Sequence, residues 1–239
     1  MEFIPVKMRR LNPPEDDLLM ALDEALPELL EGDIVLVTSK VVAIDEGRCV
    51  PLTEKTKDEL TREEADHYLL NQSGTASLPL TIKHQALLYR GGVDESNSGE
   101  YYTLLPEKPY ESAARIREHL KNKNDLKQLG VIITDGMVLP LRTGVTGISL
   151  GVAGFLPART HTAGEQDLFG KEVVETSTNL ADSLAAGSVV VSGEAGESTP
   201  IVIARGVPNV TFTNKAMSGE NQIGVQKDLY YPILRQFYS

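Results

Sequence analysis

Gly91-Gly92-Val93-Asp94-Glu95-Ser96-Asn97 sets two acids, a hydroxyl and an amide directly behind a glycine pair, and the apolar run Leu87-Leu88-Tyr89 leads into it. A second run, Gly130-Val131-Ile132-Ile133-Thr134, ends on Asp135 and is followed by Gly136. Both read as apolar strands that deliver an acid at the C-terminal end, with glycine letting the backbone turn beneath it. Carboxylates placed in this way are a usual means of aiming oxygen at a divalent cation. Mg²⁺ takes one or two protein carboxylates and fills its remaining positions with water and substrate phosphate. Taken singly, each acid is more at home as a turn residue. The matching pair is what brings the metal reading level with the turn reading.

Around these two strands the pattern alternates. Phe3 to Val6 is a short strand candidate, and Asn12-Pro13-Pro14 opens a helix whose apolar positions, Leu18, Leu22, Leu26 and Leu30 among them, recur at helical spacing. Ile34-Val35-Leu36-Val37 is a continuous apolar strand, and Thr38-Ser39-Lys40 follows it. A hydroxyl pair between a buried strand and a helix is an N-cap pattern and also a place where anions bind; capping alone accounts for Thr38 and Ser39, while Lys40 is a candidate contact for a phosphate or carboxylate. Thr53 to Leu70 reads as a solvated helix, Pro79 to Tyr89 as a strand pair carrying Lys83-His84, and Tyr110 to Leu120 as a helix with Arg115 and Arg117 on its wet side. Glu172 to Ser188 is a further helix, Val189 to Val191 and Ile201 to Ala204 are strands, and 207–239 shows little periodicity. Four glycines fall between 144 and 154, a density that marks close backbone approach to a ligand or another strand. Arg142 and Arg159 flank this run as candidate phosphate cations. GxxxxGK[ST] occurs nowhere, so any nucleotide is held without a P-loop.

The bulk numbers narrow the classes. A formal charge of −11 argues against a nucleic-acid or anionic-membrane surface. An acidic protein that handles nucleotide therefore needs metal or a local basic patch. One cysteine, Cys49, allows no internal disulfide, the N-terminus has no cationic-then-apolar leader, and the longest uncharged run is too short and too rich in glycine to span a bilayer. The expectation is a cytoplasmic protein with no nucleic-acid or membrane partner.

Taken in order, these blocks resemble the coenzyme F-420 gamma-glutamyl ligase family, whose bacterial members are described as folate-metabolism gamma-glutamate ligases. The resemblance runs from about Gly32 to Gly206 through Val37-Thr38-Ser39-Lys40-Val41-Val42, Gly92-Val93-Asp94-Glu95-Ser96-Asn97, Leu104-Leu105-Pro106, Ser112 to Arg117, Gly130 to Asp135, Gly151 to Gly154, Asp167-Leu168-Phe169-Gly170 and Thr199-Pro200-Ile201. It implies an α+β fold of mixed sheets with packed helices, working as a homodimer. Residues 1–206 would form one ligase-like domain, or two intertwined subdomains, with 207–239 as an extension packing on it. It also implies a GTP- and Mg²⁺- or Mn²⁺-dependent ligase that activates a carboxylate as an acyl phosphate, which the amino group of L-glutamate then attacks. The acceptor would be a folate-like or deazaflavin cofactor.

By position, Asp94 and Asp135 match the family's metal-holding acids. Lys40 and Arg142 match catalytic cations, and Ser39, His84, Ser96, Asn97 and Gly144 match or neighbour substrate and nucleotide contacts. Where the family has Thr, Phe-Gly-Arg-Pro and Gly-Gln after the second acid, this chain has Gly136, Met137-Val138-Leu139-Pro140 and Gly144-Val145. His161 and Ala163 stand where the family tends to show Asp and Arg. These departures imply a kept reaction type with an altered acceptor. A binding homologue without turnover and a metal-dependent nucleotide hydrolase stay open as alternatives.

Overall fold

The computed structural model describes residues 1–69, 79–160, 165–173, 177–193 and 195–238. His161 and Ala163 lie outside them. The strands are β1 (Glu2–Val6), β2 (Ile34–Thr38), β3 (Cys49–Pro51), β4 (His67–Leu69), β5 (Leu80–Lys83), β6 (Ala86–Tyr89), β7 (Tyr101–Thr103), β8 (Gly130–Val138), β9 (Val145–Ala153), β10 (Ala158–Thr160), β11 (Ser177–Asn179) and β12 (Ile201–Arg205). The helices are α1 (Leu18–Ala25), α2 (Ser39–Asp45), α3 (Lys57–Glu64), α4 (Pro109–Lys123), α5 (Leu180–Ser192) and α6 (Tyr231–Leu234). The fold is α+β, with mixed sheets and packed helices.

The central sheet has the order β1-β12-β2-β8-β9, and β2 and β8 form its parallel pair. Its inner strands are apolar where both faces are covered, over Ile34–Val37, Val131–Ile133 and Ile201–Ala204. Val35, Val37, Val131, Ile133, Ile201 and Ile203 pack against Leu18 and Leu22 of α1, Val41 and Ile44 of α2, and Ile116 and Leu120 of α4. On the other face Ile34, Leu36, Ile132, Val152 and Val202 meet Ala181 and Leu184 of α5 and the fully buried Phe155. Burying each such side chain contributes about 1.5–3 kcal/mol, which makes this sheet the rigid floor on which the rest is mounted.

β9 runs antiparallel to β8 with a bulge opposite Ile133 and Thr134, where Leu150 is the extra residue. Leu150 turns toward Ala86, Leu88 and Leu105, and the bulge re-aims the glycines on either side of it. A Cβ on Gly147 would stand 2.1 Å from the Ala185 carbonyl oxygen of α5, and one on Gly151 would stand 2.3 Å from the Pro109 carbonyl carbon of α4. At Gly154, where φ is +92°, it would strike the Leu129 carbonyl oxygen at 2.1 Å. These three glycines therefore serve the seating of helices and a neighbouring loop on the sheet, rather than approach to a ligand or another strand.

Several boundaries differ from the sequence reading. α1 is capped by Asp17, whose carboxylate accepts from Met20 N, and it stops at Ala25 because Pro27 pushes Leu26 into the extended region. Val189 to Val191 are not a strand but the last turn of α5, which continues to Ser192. Arg117 is buried, not solvated: its Nε donates to Leu129 O at 2.7 Å and a terminal nitrogen donates to Asn214 Oδ1 at 2.8 Å. The segment after β12 packs back along the sheet. Thr213 N donates to Gly154 O, Tyr110 Oη donates to Asn221 Oδ1, and the ring of Tyr238 lies 4.1 Å from that of His67.

Candidate active site

The parallel pair places the site. Thr38 of β2 sits in register with Thr134 of β8, so the next residues, Ser39 and Asp135, meet where β2 ends. This is the end where open sheets with parallel strands bind ligands. Asp135 is not the end of its own strand as the sequence suggested, because β8 runs on to Val138 in its pairing with β9. Thr38 is the N-cap of α2, yet its side chain makes no capping hydrogen bond, and Ser39 uses its hydroxyl on Asp135 instead, donating to Oδ1 at 2.8 Å. Asp135 opens partly onto a cleft but is otherwise enclosed, and this burial raises its carboxyl to about 6. Hydrogen bonds from Ser39 and the Gly136 N–H work against the rise, and the negative charge of Asp94 adds to it.

Asp94 arrives from a separate part of the chain. After β6 a short 3-10 turn at Arg90–Gly92 uses positive φ at Gly91 and Gly92, and Asp94 then pairs with Thr103 through two backbone hydrogen bonds of 2.9 and 2.7 Å. Its carboxylate accepts from Ser96 N at 2.9 Å and from Ser96 Oγ at 2.8 Å. Lys40 Nζ lies 2.6 Å from Asp94 Oδ2 and donates to Ser96 O and Oγ at 2.6 and 2.7 Å. Burial works against the charged form of Asp94, but Lys40 and Ser96 outweigh it and hold the carboxyl below its ordinary value.

Ser39, Lys40, Asp94, Ser96, Asn97 and Asp135 thus line one cleft of about 590 Å³. His84 does not line it. That residue sits in the β5–β6 turn with Nε2 2.9 Å from Pro106 O, and burial lowers its ring. Arg142 and Gly144 are also outside the lining, on the exposed tip of the β8–β9 hairpin, where Arg142 donates to Leu141 O. The sequence reading did not single out two further walls. One is the segment Met8 to Leu11. The other combines the end of α5, at Ser188 and Ser192, with the loop that follows, through Glu197 and Pro200. They are tied to the rest by Met8 N donating to Ser198 O at 3.1 Å and Asn97 Nδ2 donating to Ala195 O at 3.0 Å. Beforehand that loop was visible only as the block Thr199-Pro200-Ile201 and the Met8 segment only through the helix-opening prolines after it, and neither pointed to the cleft.

A profile of the F420-0:gamma-glutamyl ligase family matches residues 6–206, a span that contains every wall of the cleft. The chain belongs to that family. The coenzyme F420:L-glutamate ligase of Methanocaldococcus jannaschii is 37% identical over 207 residues, covering 84% of this chain and 80% of that protein. The protein of the same name from Methanopyrus kandleri is 34% identical, covering 85% of this chain and 86% of its own length. That from Methanococcus maripaludis strain S2 is 34% identical, covering 90% and 91%. As a member of the F420-0:gamma-glutamyl ligase family, the chain is a ligase that forms a carbon–nitrogen bond.

This ligase offers donors that suit a hard cation. Asp94 is near enough for its charge to raise the proton affinity of Asp135, and the hydroxyls of Ser39 and Ser96 stand beside the two carboxylates as further oxygen donors, with the Lys40 ammonium on Asp94. Among the described residues no group of three His, Cys, Asp or Glu side chains surrounds one point, so a metal here would complete its shell with water and substrate oxygens. Among those residues, too, no helix is long and apolar enough to cross a membrane.

Proposed function

We propose that this ligase uses GTP and Mg²⁺ or Mn²⁺ to join the amino group of L-glutamate to an acceptor carboxylate. An acceptor oxygen attacks the γ-phosphorus, GDP leaves, and the glutamate nitrogen then displaces phosphate from the acyl phosphate to give the amide. The observation that carries this reading is the convergence of Asp94 and Asp135 on one cleft with Lys40, which grips the first and whose charge also favours ionisation of the second. Asp94 and Asp135 would hold the cation, which when bound supplies charge neutralisation for the triphosphate. Lys40 is held by three acceptors within 2.7 Å, so its ammonium is fixed in place before substrate arrives, as stabilising a transferring phosphoryl group requires. Ser39 fixes the orientation of Asp135. The relatives are named for coenzyme F420, which makes a deazaflavin the first acceptor to test and a folate-like molecule the second.

The homodimer belongs to the same reading. Val138, Leu139, Leu141 and Val145 are exposed on and beside the hairpin tip, apolar surface that a second copy would cover. Arg142 stands on that tip outside its own cleft, and in a dimer it would be free to serve the partner's. Sedimentation at micromolar concentration tests the assembly.

The central test is purified protein with Mn²⁺, GTP, L-glutamate and each acceptor. GDP release should require both glutamate and acceptor, and Asp94→Asn should lose it together with Mn²⁺ binding by calorimetry. The reading fails if no acceptor supports GDP release and Asp94→Asn binds Mn²⁺ as tightly as wild type. GDP release that ignores glutamate would instead identify a nucleotide hydrolase.

A further inference from the structure

Among the described residues three cations line the cleft, and two of them are engaged: Arg9 by Asp16 and Glu24, Lys40 by Asp94 and Ser96. The third, Arg10, makes no hydrogen bond or ion pair through its guanidinium with any described residue. Yet the backbone that carries it is firmly placed. Met8 and Leu11 are buried on either side of it, Met8 N is bonded to the 193–200 loop, and Arg9 grips Asp16 through two hydrogen bonds of 2.9 and 3.0 Å. The guanidinium itself rests over Gly99, close enough that an added Cβ there would touch it at 3.5 Å. An arginine on a rigid mount, in an acidic protein, facing an open cleft with its five donors unspent, is arranged to receive an anion.

We propose that Arg10 binds a substrate carboxylate. This inference rests on the ligase reading and names what the outer part of the same cleft recognises. In that reading the phosphates fall to Lys40 and to the cation that the paired acids would hold. Arg10, from the segment after β1, reaches the loop that carries Ser96 at a later residue, Gly99, and so stands apart from the place where Lys40 meets Ser96. The planar fork of a guanidinium matches a carboxylate in two parallel hydrogen bonds, which a lysine cannot reproduce. The carboxylate has two sources, the incoming glutamate or the acceptor.

The experiment compares wild type with Arg10→Ala and Arg10→Lys. The side chain is exposed and unpaired, so both variants should melt with wild type. Steady-state kinetics with each substrate varied in turn should show KM raised on the order of tenfold to a hundredfold for one carboxylate substrate, with the KM for GTP unchanged and Arg10→Lys rescuing only in part. A rise for L-glutamate assigns the incoming amino acid; a rise for the acceptor assigns that partner. Direct titration of L-glutamate and of the acceptor into wild type and Arg10→Ala, without nucleotide, tests the contact even if no turnover is found, which separates failure here from failure of the ligase reading. Affinities for both carboxylate substrates within twofold of wild type, or a loss confined to GTP, would overturn the proposal.

Discussion

Gly147→Ala is the sharpest probe of how the sheet presents its site. The added Cβ would stand 2.1 Å from the Ala185 carbonyl oxygen and 2.5 Å from its carbon, both backbone atoms of α5 that no rotamer change can move. Ordinary contact begins near 3.4 Å, so strand and helix would have to separate by about 1 Å or more across a close-packed interface. Overpacking of this kind costs about 1–3 kcal/mol, and a backbone obstacle belongs at the upper end. The better strand propensity of alanine returns roughly 0.5–1 kcal/mol, leaving a net loss of about 2 kcal/mol. For a protein of this size that lowers Tm by roughly 4–8 °C. α5 also carries Ser188 and Ser192 into the cleft, so ligase activity should fall along with Tm. Gly196→Ala is the control, since nothing lies within 4 Å of its Cβ and its φ is not left-handed; it should stay within about 0.5 kcal/mol of wild type. Scanning fluorimetry reads both variants. A Gly147→Ala protein melting within 1 °C of wild type would refute the packing argument.

Asp135→Asn should stabilise the metal-free protein. Its folded carboxyl is raised to about 6 from 3.8, so the charged form is disfavoured by folding, and stability rises as pH falls through 6. Asparagine removes a penalty of at most about 3 kcal/mol at pH 7.5, and the gap should close by pH 4 when both proteins are melted in chelator; a gap that is constant with pH contradicts this. Lys40→Ala should fold normally while kcat drops on the order of a hundredfold to a thousandfold, measured as glutamate-dependent GDP release. Arg117→Met leaves the Leu129 carbonyl and Asn214 without their donor and should cost about 1–3 kcal/mol, with limited proteolysis nicking the segment after 206 sooner than in wild type.

How much of this was legible follows from range. Ile34–Val37 and Gly130–Thr134 declare themselves because strands buried on both faces leave no polar position to confuse the pattern. Both acids of the site were readable for the same reason, since each follows a recognisable apolar run. Val189 to Val191 misled because three β-branched residues favour a strand locally. The sheet beneath α5 decides otherwise and leaves Val190 facing solvent at 85% exposure. Arg117 misled because a charge at helical spacing reads as wet until a distant segment supplies Asn214. Arg10 and the 193–200 loop carry no local pattern; only the closing of the fold brings them beside Asp94. The segment 207–238 packs through single, non-periodic contacts, which periodicity does not register.

The position of β12 has a temporal consequence. This strand, one of the last to be synthesised, lies between β1 and β2, two of the first. A nascent chain still lacking residue 201 has both acids but a gap in the middle of its sheet, with the edges of β1 and β2 unpaired. Non-local strand pairing slows folding, and strand edges left unpaired until it forms are where partly folded chains aggregate.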